Sequence, residues 1–286
     1  MKKLLVVADV SWWVFDKIYR ALKKYLNDWE VDVHYIKYET KIDHNPYSTV
    51  LYLCDYKPEI LIDNKIPSEK VVLAIRSAVT HPFYDGNIEK YAEAIAVSNK
   101  ELETIFKQKH NNVFLAPGGV DTDLFKPGNK KQNEEVRVGW SGSSNNFGRE
   151  YRGLHIIEQA CNELSYNFDP AIREVKLRNE EEMVDYYNSL DVYVDMSIKA
   201  GRQNGILEAG SCCVPVIASR SGIAEDLING ENGMICDRNV EDLIVCLQNI
   251  NKSYGEKLRE TIIDKWSWKT HAKYFENIFN FVIEEQ

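Results

Sequence analysis

The chain has 286 residues, 44% apolar and 28% charged, which are ordinary proportions for globular protein and enough length for about two domains with a core each. Lys and Arg total 35 against 44 Asp and Glu, a net charge of −9 that lacks the basic footprint of a general nucleic-acid binder. No apolar run approaches the ~18–20 residues of a membrane-spanning helix.

In chain order, Met1-Lys2-Lys3 precedes Leu4-Leu5-Val6-Val7-Ala8, which Asp9 ends before it reaches the ~7–15 apolar residues of a secretory segment. It reads as a first buried strand. Residues 31–36, 50–53, 60–62, 71–75 and 94–97 are likewise short, Val- and Ile-rich and strand-like. Between the first two strands, Val14, Ile18, Ala21, Leu22 and Leu26 recur at helical spacing. A second series opens at Val136-Arg137-Val138-Gly139-Trp140. It continues through a helix at 154–164, a strand near Val175, a helix at 181–189 and strands at 192–195 and 214–218. Such alternation predicts α/β structure with parallel sheets covered on both faces. The polar stretch at 126–135 carries Pro127-Gly128 and reads as a linker. The expected organisation is therefore 1–125, a short first domain; 126–135, the linker; 136–265, a second domain; and 266–286, one or two closing helices.

Six cysteines (Cys54, Cys161, Cys212, Cys213, Cys236 and Cys246) contain no Cys-x-x-Cys pair, so no zinc or redox motif is signalled. They read as reduced, mostly buried thiols of a cytoplasmic protein. Lys17, Arg20, Lys23 and Lys24 line the first helix opposite its apolar stripe. A charge run of this kind is ordinarily a solvated face, and membrane docking is not the expectation.

The segment most informative about chemistry is Asn204-Gly205-Ile206-Leu207-Glu208-Ala209-Gly210-Ser211, which opens a helix after the strand at 192–195. A helix start presents unsatisfied N–H groups and the positive end of the dipole, a ready anion site. Glu208, one turn in, either accepts hydrogen bonds from hydroxyls of a ligand bound there or only complements the dipole. Ser219-Arg220-Ser221-Gly222 supplies a second loop at the same predicted sheet edge, where open α/β sheets bind ligands. No Gly-x-Gly-x-x-Gly follows a predicted strand, which disfavours a dehydrogenase.

Several segments, in order, resemble the retaining two-Rossmann-domain (GT-B) glycosyltransferases, most closely glycosyltransferase family 4. These are Ala96-Val97-Ser98-Asn99; the crossover from Ala116-Pro117-Gly118-Gly119 to Lys126-Pro127; Val138-Gly139-Trp140-Ser141-Gly142 with Arg152-Gly153; the strand at 188–197 leading to the donor site and the donor-binding segment 191–234; and Trp266-Ser267-Trp268. The resemblance covers roughly residues 94–268. It implies two Rossmann-like domains facing across a cleft and metal-independent transfer of a hexose-like sugar. The donor would be a UDP- or GDP-linked sugar serving as substrate, with no separate cofactor, and the acceptor a carbohydrate or lipid-linked molecule. It assigns the diphosphate to Arg152, with Arg149 in reserve, and the nucleotide ribose to Glu208, and it counts Gly142 and Ser143 among the substrate-binding residues. Asn204 and Gly205 would line the donor.

The resemblance has gaps. Ala200 stands eight residues before Glu208, where the family has a glutamate on the donor sugar; Arg202 and Gln203 are candidate replacements. The first loop, Asp9-Val10-Ser11-Trp12-Trp13, lacks the family's glycines. Trp12 and Trp13 would instead stack on a sugar or pack into the core. His81, after the strand at 71–75, matches a histidine near the acceptor face. Asp121-Thr122-Asp123 has a metal-binding form but sits in the crossover. The alternatives are a non-catalytic nucleotide-sugar binding protein, suggested by Ala200, and a nucleotide-sugar epimerase of the same architecture.

Overall fold

The computed structural model describes residues 1–76, 88, 90–128, 133–145 and 148–285. The chain divides into two compact units, Met1–Gly119 with Trp268–Gln286, and Val120–Ser267. Each is built on its own parallel sheet.

In the first unit, β1 (Lys2–Ala8), α1 (Val14–Tyr25), β2 (Trp29–Tyr35), β3 (Thr49–Tyr52), α2 (Glu59–Asp63), β4 (Val71–Ile75), β5 (Ala94–Val97), α3 (Lys100–Phe106) and β6 (Val113–Leu115) follow one another. The sheet order is β2-β1-β3-β4-β5-β6, with every pair parallel. β3, β4 and β5 are buried along their whole length, because helices cover both faces. Residues 60–62, expected as a strand, form the middle of α2 instead. Only Ile60 and Leu61 are buried there, while Ile62 is 54% exposed, and Pro58 starts the helix where it loses no hydrogen bond.

The second unit runs β7 (Arg137–Gly142), α4 (Gly148–Tyr151), α5 (Leu154–Leu164), β8 (Asn167–Ile172), α6 (Glu180–Asn188), β9 (Val192–Asp195), α7 (Asn204–Ser211), β10 (Val216–Ala218), α8 (Ala224–Leu227), β11 (Met234–Ile235), α9 (Val240–Asn249) and α10 (Ser253–Lys265). Its order is β11-β10-β9-β7-β8, again parallel. The expected strand near Val175 lies earlier, in β8, and Val175 is an 81% exposed turn residue. β8 reads poorly as a strand because it is an edge: it contains Pro170, which an edge tolerates, and its side chains are mostly only half-buried.

The units meet the chain at different places from the expected 126–135 linker. Val120 pairs with Ser267, and its N–H donates to the Trp266 carbonyl at 2.9 Å, so the chain enters and leaves the second unit through adjacent backbone. Val120, Phe125 and Trp266 are all buried in the second unit's core. The Asn188 side chain also accepts from the Gly128 N–H and donates to the Lys126 carbonyl. The last helix, α11 (Trp268–Glu284), packs Phe275, Ile278, Phe279 and Val282 into the first unit's core beside Ile18 and Leu22 of α1.

Among the described residues no helix is long and apolar enough to cross a membrane. The basic residues of α1 are engaged locally: Arg20 pairs with Asp16 at 2.9 Å, Lys23 donates to Tyr19, and Lys24 lies over the Tyr25 ring.

Candidate functional site

In the second unit the strand order reverses between β7 and β9, one leading outward to β8 and the other to β10. Ligands of open α/β sheets occupy the crevice beyond the carboxyl ends at such a switch point. The residues there are Ser141 and Gly142 at the end of β7, Asp195 at the end of β9, and the start of α7.

No side chain caps α7, so its first N–H groups are open to an acceptor. Gly205 lets the helix start lie against the sheet. A Cβ there would stand 1.9 Å from the Tyr193 hydroxyl and 2.8 Å from Ser141 Oγ. Asn204, beside it, has a buried Oδ1 with no hydrogen-bond partner among the described residues. An orphaned acceptor at a helix start is the kind of group a ligand satisfies.

Glu208 is 7% exposed and accepts a hydrogen bond from Tyr187 at 2.9 Å. Tyr187 and Tyr193 both contact Ser141 Oγ at 3.0 Å. Arg202 is partly exposed with a buried Nε. Burial lowers its pKa to about 10 against the opposing pull of the Glu208 charge.

Gln203 is buried and hydrogen-bonded through both ends of its amide. Its Nε2 donates to the Ser221 carbonyl and hydroxyl, both at 3.1 Å, and its Oε1 accepts from the Ile223 N–H at 3.0 Å. It ties the start of α7 to the loop after β10, with its amide N–H groups donated to Ser221.

The loop after β7 is held by Glu174, whose carboxylate accepts from the Ser143 hydroxyl at 2.5 Å and the Ser144 N–H at 3.0 Å. These bonds hold the Glu174 pKa below the usual carboxylate value. The Ser143 hydroxyl thus donates its hydrogen bond to a carboxylate. Arg149 makes an ion pair with Glu158 on the exposed face of α5, so the reserve cation is committed. Arg152 has no hydrogen-bond or ion-pair partner among the described residues. Gly153 follows it at φ +72°, where a Cβ would lie 2.5 Å from the Met196 carbonyl oxygen. Glycine is required there for the chain to turn against the end of β9.

In the first unit Trp12 is 80% exposed at φ +62°, with the Arg20 guanidinium 5.4 Å from its ring centroid. It is not a core residue. Trp13, half-buried, stands at the start of α1. His81 lies outside the described residues. Asp121 Oδ1 accepts from the N–H groups of Asp123 and Leu124, a local turn. Among the described residues no cluster of His, Cys, Asp or Glu could hold a metal ion.

The hydroxyls of Tyr187, Ser141 and Tyr193 are absent from the residues expected at the site. Their signal is faint: Tyr187 falls in a helical pattern and Tyr193 in an apolar strand, positions that ordinarily mean packing. A buried tyrosine hydroxyl nonetheless needs a partner: Tyr187 finds the Glu208 carboxylate, and both tyrosines share the Ser141 hydroxyl.

Residues 147–252 match the family Glycosyl transferases group 1. The matched segment contains Arg152, α7 and Glu208. A glycosyltransferase of Methanocaldococcus jannaschii, described as uncharacterized, is 26% identical over 112 residues, 36% of this chain and 29% of that protein. The match thus spans under a third of the relative's length. Three solved structures share the fold along nearly the whole chain. Sucrose-phosphate synthase from Thermosynechococcus elongatus has a TM-score of 0.73 at 13% identity, covering 100% of both chains. A glycosyltransferase from Rickettsia africae has a TM-score of 0.75 at 13% identity, covering 100% of this chain and 99% of that one. HepE from Anabaena, in complex with UDP, has a TM-score of 0.67 at 12% identity, covering 98% and 100%. The architecture is that of the GT-B glycosyltransferases: two Rossmann-like domains on parallel sheets.

Proposed function

We propose that the protein is a glycosyltransferase that moves a sugar from a nucleoside diphosphate donor to a carbohydrate or lipid-linked acceptor, with retention at the anomeric carbon and without a metal. The observation that carries this reading is the uncapped start of α7 at the β7/β9 switch point, with Glu208 held one turn inside it. The group 1 match over these residues supports it, as does the UDP bound by the HepE relative of the same fold.

The diphosphate meets the first N–H groups of α7 and the side chain of Arg152, and Gly142 lets the loop after β7 approach it. Negative charge grows on the diphosphate as the sugar–phosphate bond breaks. A fixed cation and preorganised N–H groups answer that demand without a bound metal. Glu208 accepts from the ribose hydroxyls. The acceptor side falls to the first unit, where Trp12 offers an exposed aromatic face and His81 is the proposed polar group. A cytoplasmic location goes with a nucleotide-sugar donor and with reduced thiols.

The second reading, a nucleotide-sugar binding protein without turnover, is favoured by Ala200, which puts a methyl where the resembled family has a carboxylate. Incubation with radiolabelled UDP- and GDP-sugars in excess EDTA separates the two. Release or transfer of labelled sugar is the expected result. Binding with no turnover would establish the second reading, and turnover restored only by Mg²⁺ or Mn²⁺ would overturn the metal-free mechanism.

A further inference from the structure

The Glu208 carboxylate is the end of a chain of buried hydroxyls whose direction is determined. A carboxylate only accepts, so Tyr187 donates to Glu208 Oε2 at 2.9 Å. With its one proton spent there, the Tyr187 oxygen accepts from the Ser141 hydroxyl at 3.0 Å. Ser141 Oγ in turn accepts from the Tyr193 hydroxyl at 3.0 Å, and Tyr193 accepts the Ser141 N–H at 3.3 Å. Every hydroxyl proton is used once.

Four elements supply this chain: β7, α6, β9 and α7. Its rings are clamped. Tyr187 packs edge-on against Tyr193 and Phe125, at centroid distances of 5.8 and 6.2 Å, and lies 5.4 Å from Tyr186. Burial first, and then the nearby Glu208 charge, raises the Tyr187 pKa far above that of a free phenol, so its proton stays available for donation. Gly205 leaves the space these hydroxyls occupy.

We propose that Tyr187 is a positioning residue that holds Glu208 in the orientation for ribose hydroxyls, and thereby sets the protein's preference for ribonucleotides. This rests on the reading that Glu208 takes the ribose. A carboxylate fixed by a rigid donor need not be ordered when the ligand arrives, and its remaining lone pairs keep one direction.

The test is titration of UDP against 2′,3′-dideoxy-UDP, with the guanosine pair in parallel, on the native protein, Tyr187→Phe, Ser141→Ala and Glu208→Gln. The native protein is expected to prefer the ribose form by about 10- to 100-fold. Glu208→Gln should abolish the preference. Tyr187→Phe should cut it by about 3- to 10-fold with dideoxy affinity unchanged, and Ser141→Ala should cut it less, in the same direction. Loss of affinity for both ligands alike in Tyr187→Phe would mark a merely structural tyrosine and overturn the proposal. A preference lost in Glu208→Gln but intact in both hydroxyl variants would also overturn it. No native preference, or one that survives Glu208→Gln, would instead sink the ribose reading itself. Should Tyr187→Phe not fold, Ser141→Ala decides by the same criterion.

Discussion

Arg152 and Arg149 are three residues apart, and their neighbours decide which can meet an anion. Glu158 on α5 neutralises Arg149, while Arg152 has no partner among the described residues and precedes the αL turn at Gly153. A charge-assisted hydrogen bond is worth about 1.5–3 kcal/mol. Arg152→Ala should therefore weaken UDP or GDP binding by about that much in calorimetry, and Arg149→Ala by far less. Equal losses in both would mean that the Glu158 pair opens when the ligand binds. Basic residues beside a glycine were readable in the sequence. Which of them was spent was not, because Glu158 lies nine positions away and meets Arg149 only once α5 forms.

Among the elements, α11 shows how far packing can override position along the chain. It follows the whole second unit in sequence, yet its buried face belongs to the first. Phe279 meets Trp29 edge-on at 5.6 Å, and the Gly118 backbone approaches the Trp268 ring so closely that a Cβ would stand 2.9 Å from it. Phe275 is wholly buried, with the Arg76 guanidinium over its ring. Phe275→Ala should cost about 3–5 kcal/mol, the range for truncating a buried aromatic. Urea denaturation should show the loss as a lower midpoint, with nucleotide affinity retained in the protein that remains folded. An unchanged midpoint would show that the helix adds nothing to the first unit's stability. Long elements of clear period, such as α1 and α5, were legible in the sequence to within a residue or so. α2 and β8 were not, because a three-residue apolar run has no measurable period and an edge strand need not be apolar.

Across the whole molecule, burial governs how stability responds to alkali. The Cys161 and Cys212 thiols are pushed by burial from near 9 up to about 12. Cys54 and Cys236, also chiefly through burial, are raised further. In the unfolded chain these thiols ionise near their ordinary value while the folded protein still holds the protons. Their contribution is thus complete below about pH 9 and is lost as the pH rises toward the folded values. Each thiol adds about 1.4 kcal/mol per pH unit to the slope within that window. Denaturation midpoints should hold steady from pH 7 to 8.5 and fall steeply from pH 9 to 10. Cys161→Ala should flatten the fall; a slope that this variant leaves untouched would assign the titration to other groups.

The sequence by itself determined the α/β class, nearly all the buried parallel strands, and the segment from Asn204 to Glu208 as the place to look for chemistry. Those signals are local: runs of Val and Ile, helical spacing, and residues set a fixed number of steps from a helix start. Only the tertiary structure decided where the units divide, since Val120 and Ser267 become neighbours by pairing across 146 residues of intervening chain. It alone showed that Gln203 and Arg149 are engaged, that Trp12 faces solvent, and that a file of tyrosine and serine hydroxyls stands behind Glu208. The physical reason is common to all of these. A hydrogen bond or ion pair depends on distance in space, and residues on β7, α6, β9 and α7 come within 3 Å of one another only after the sheet has set their order.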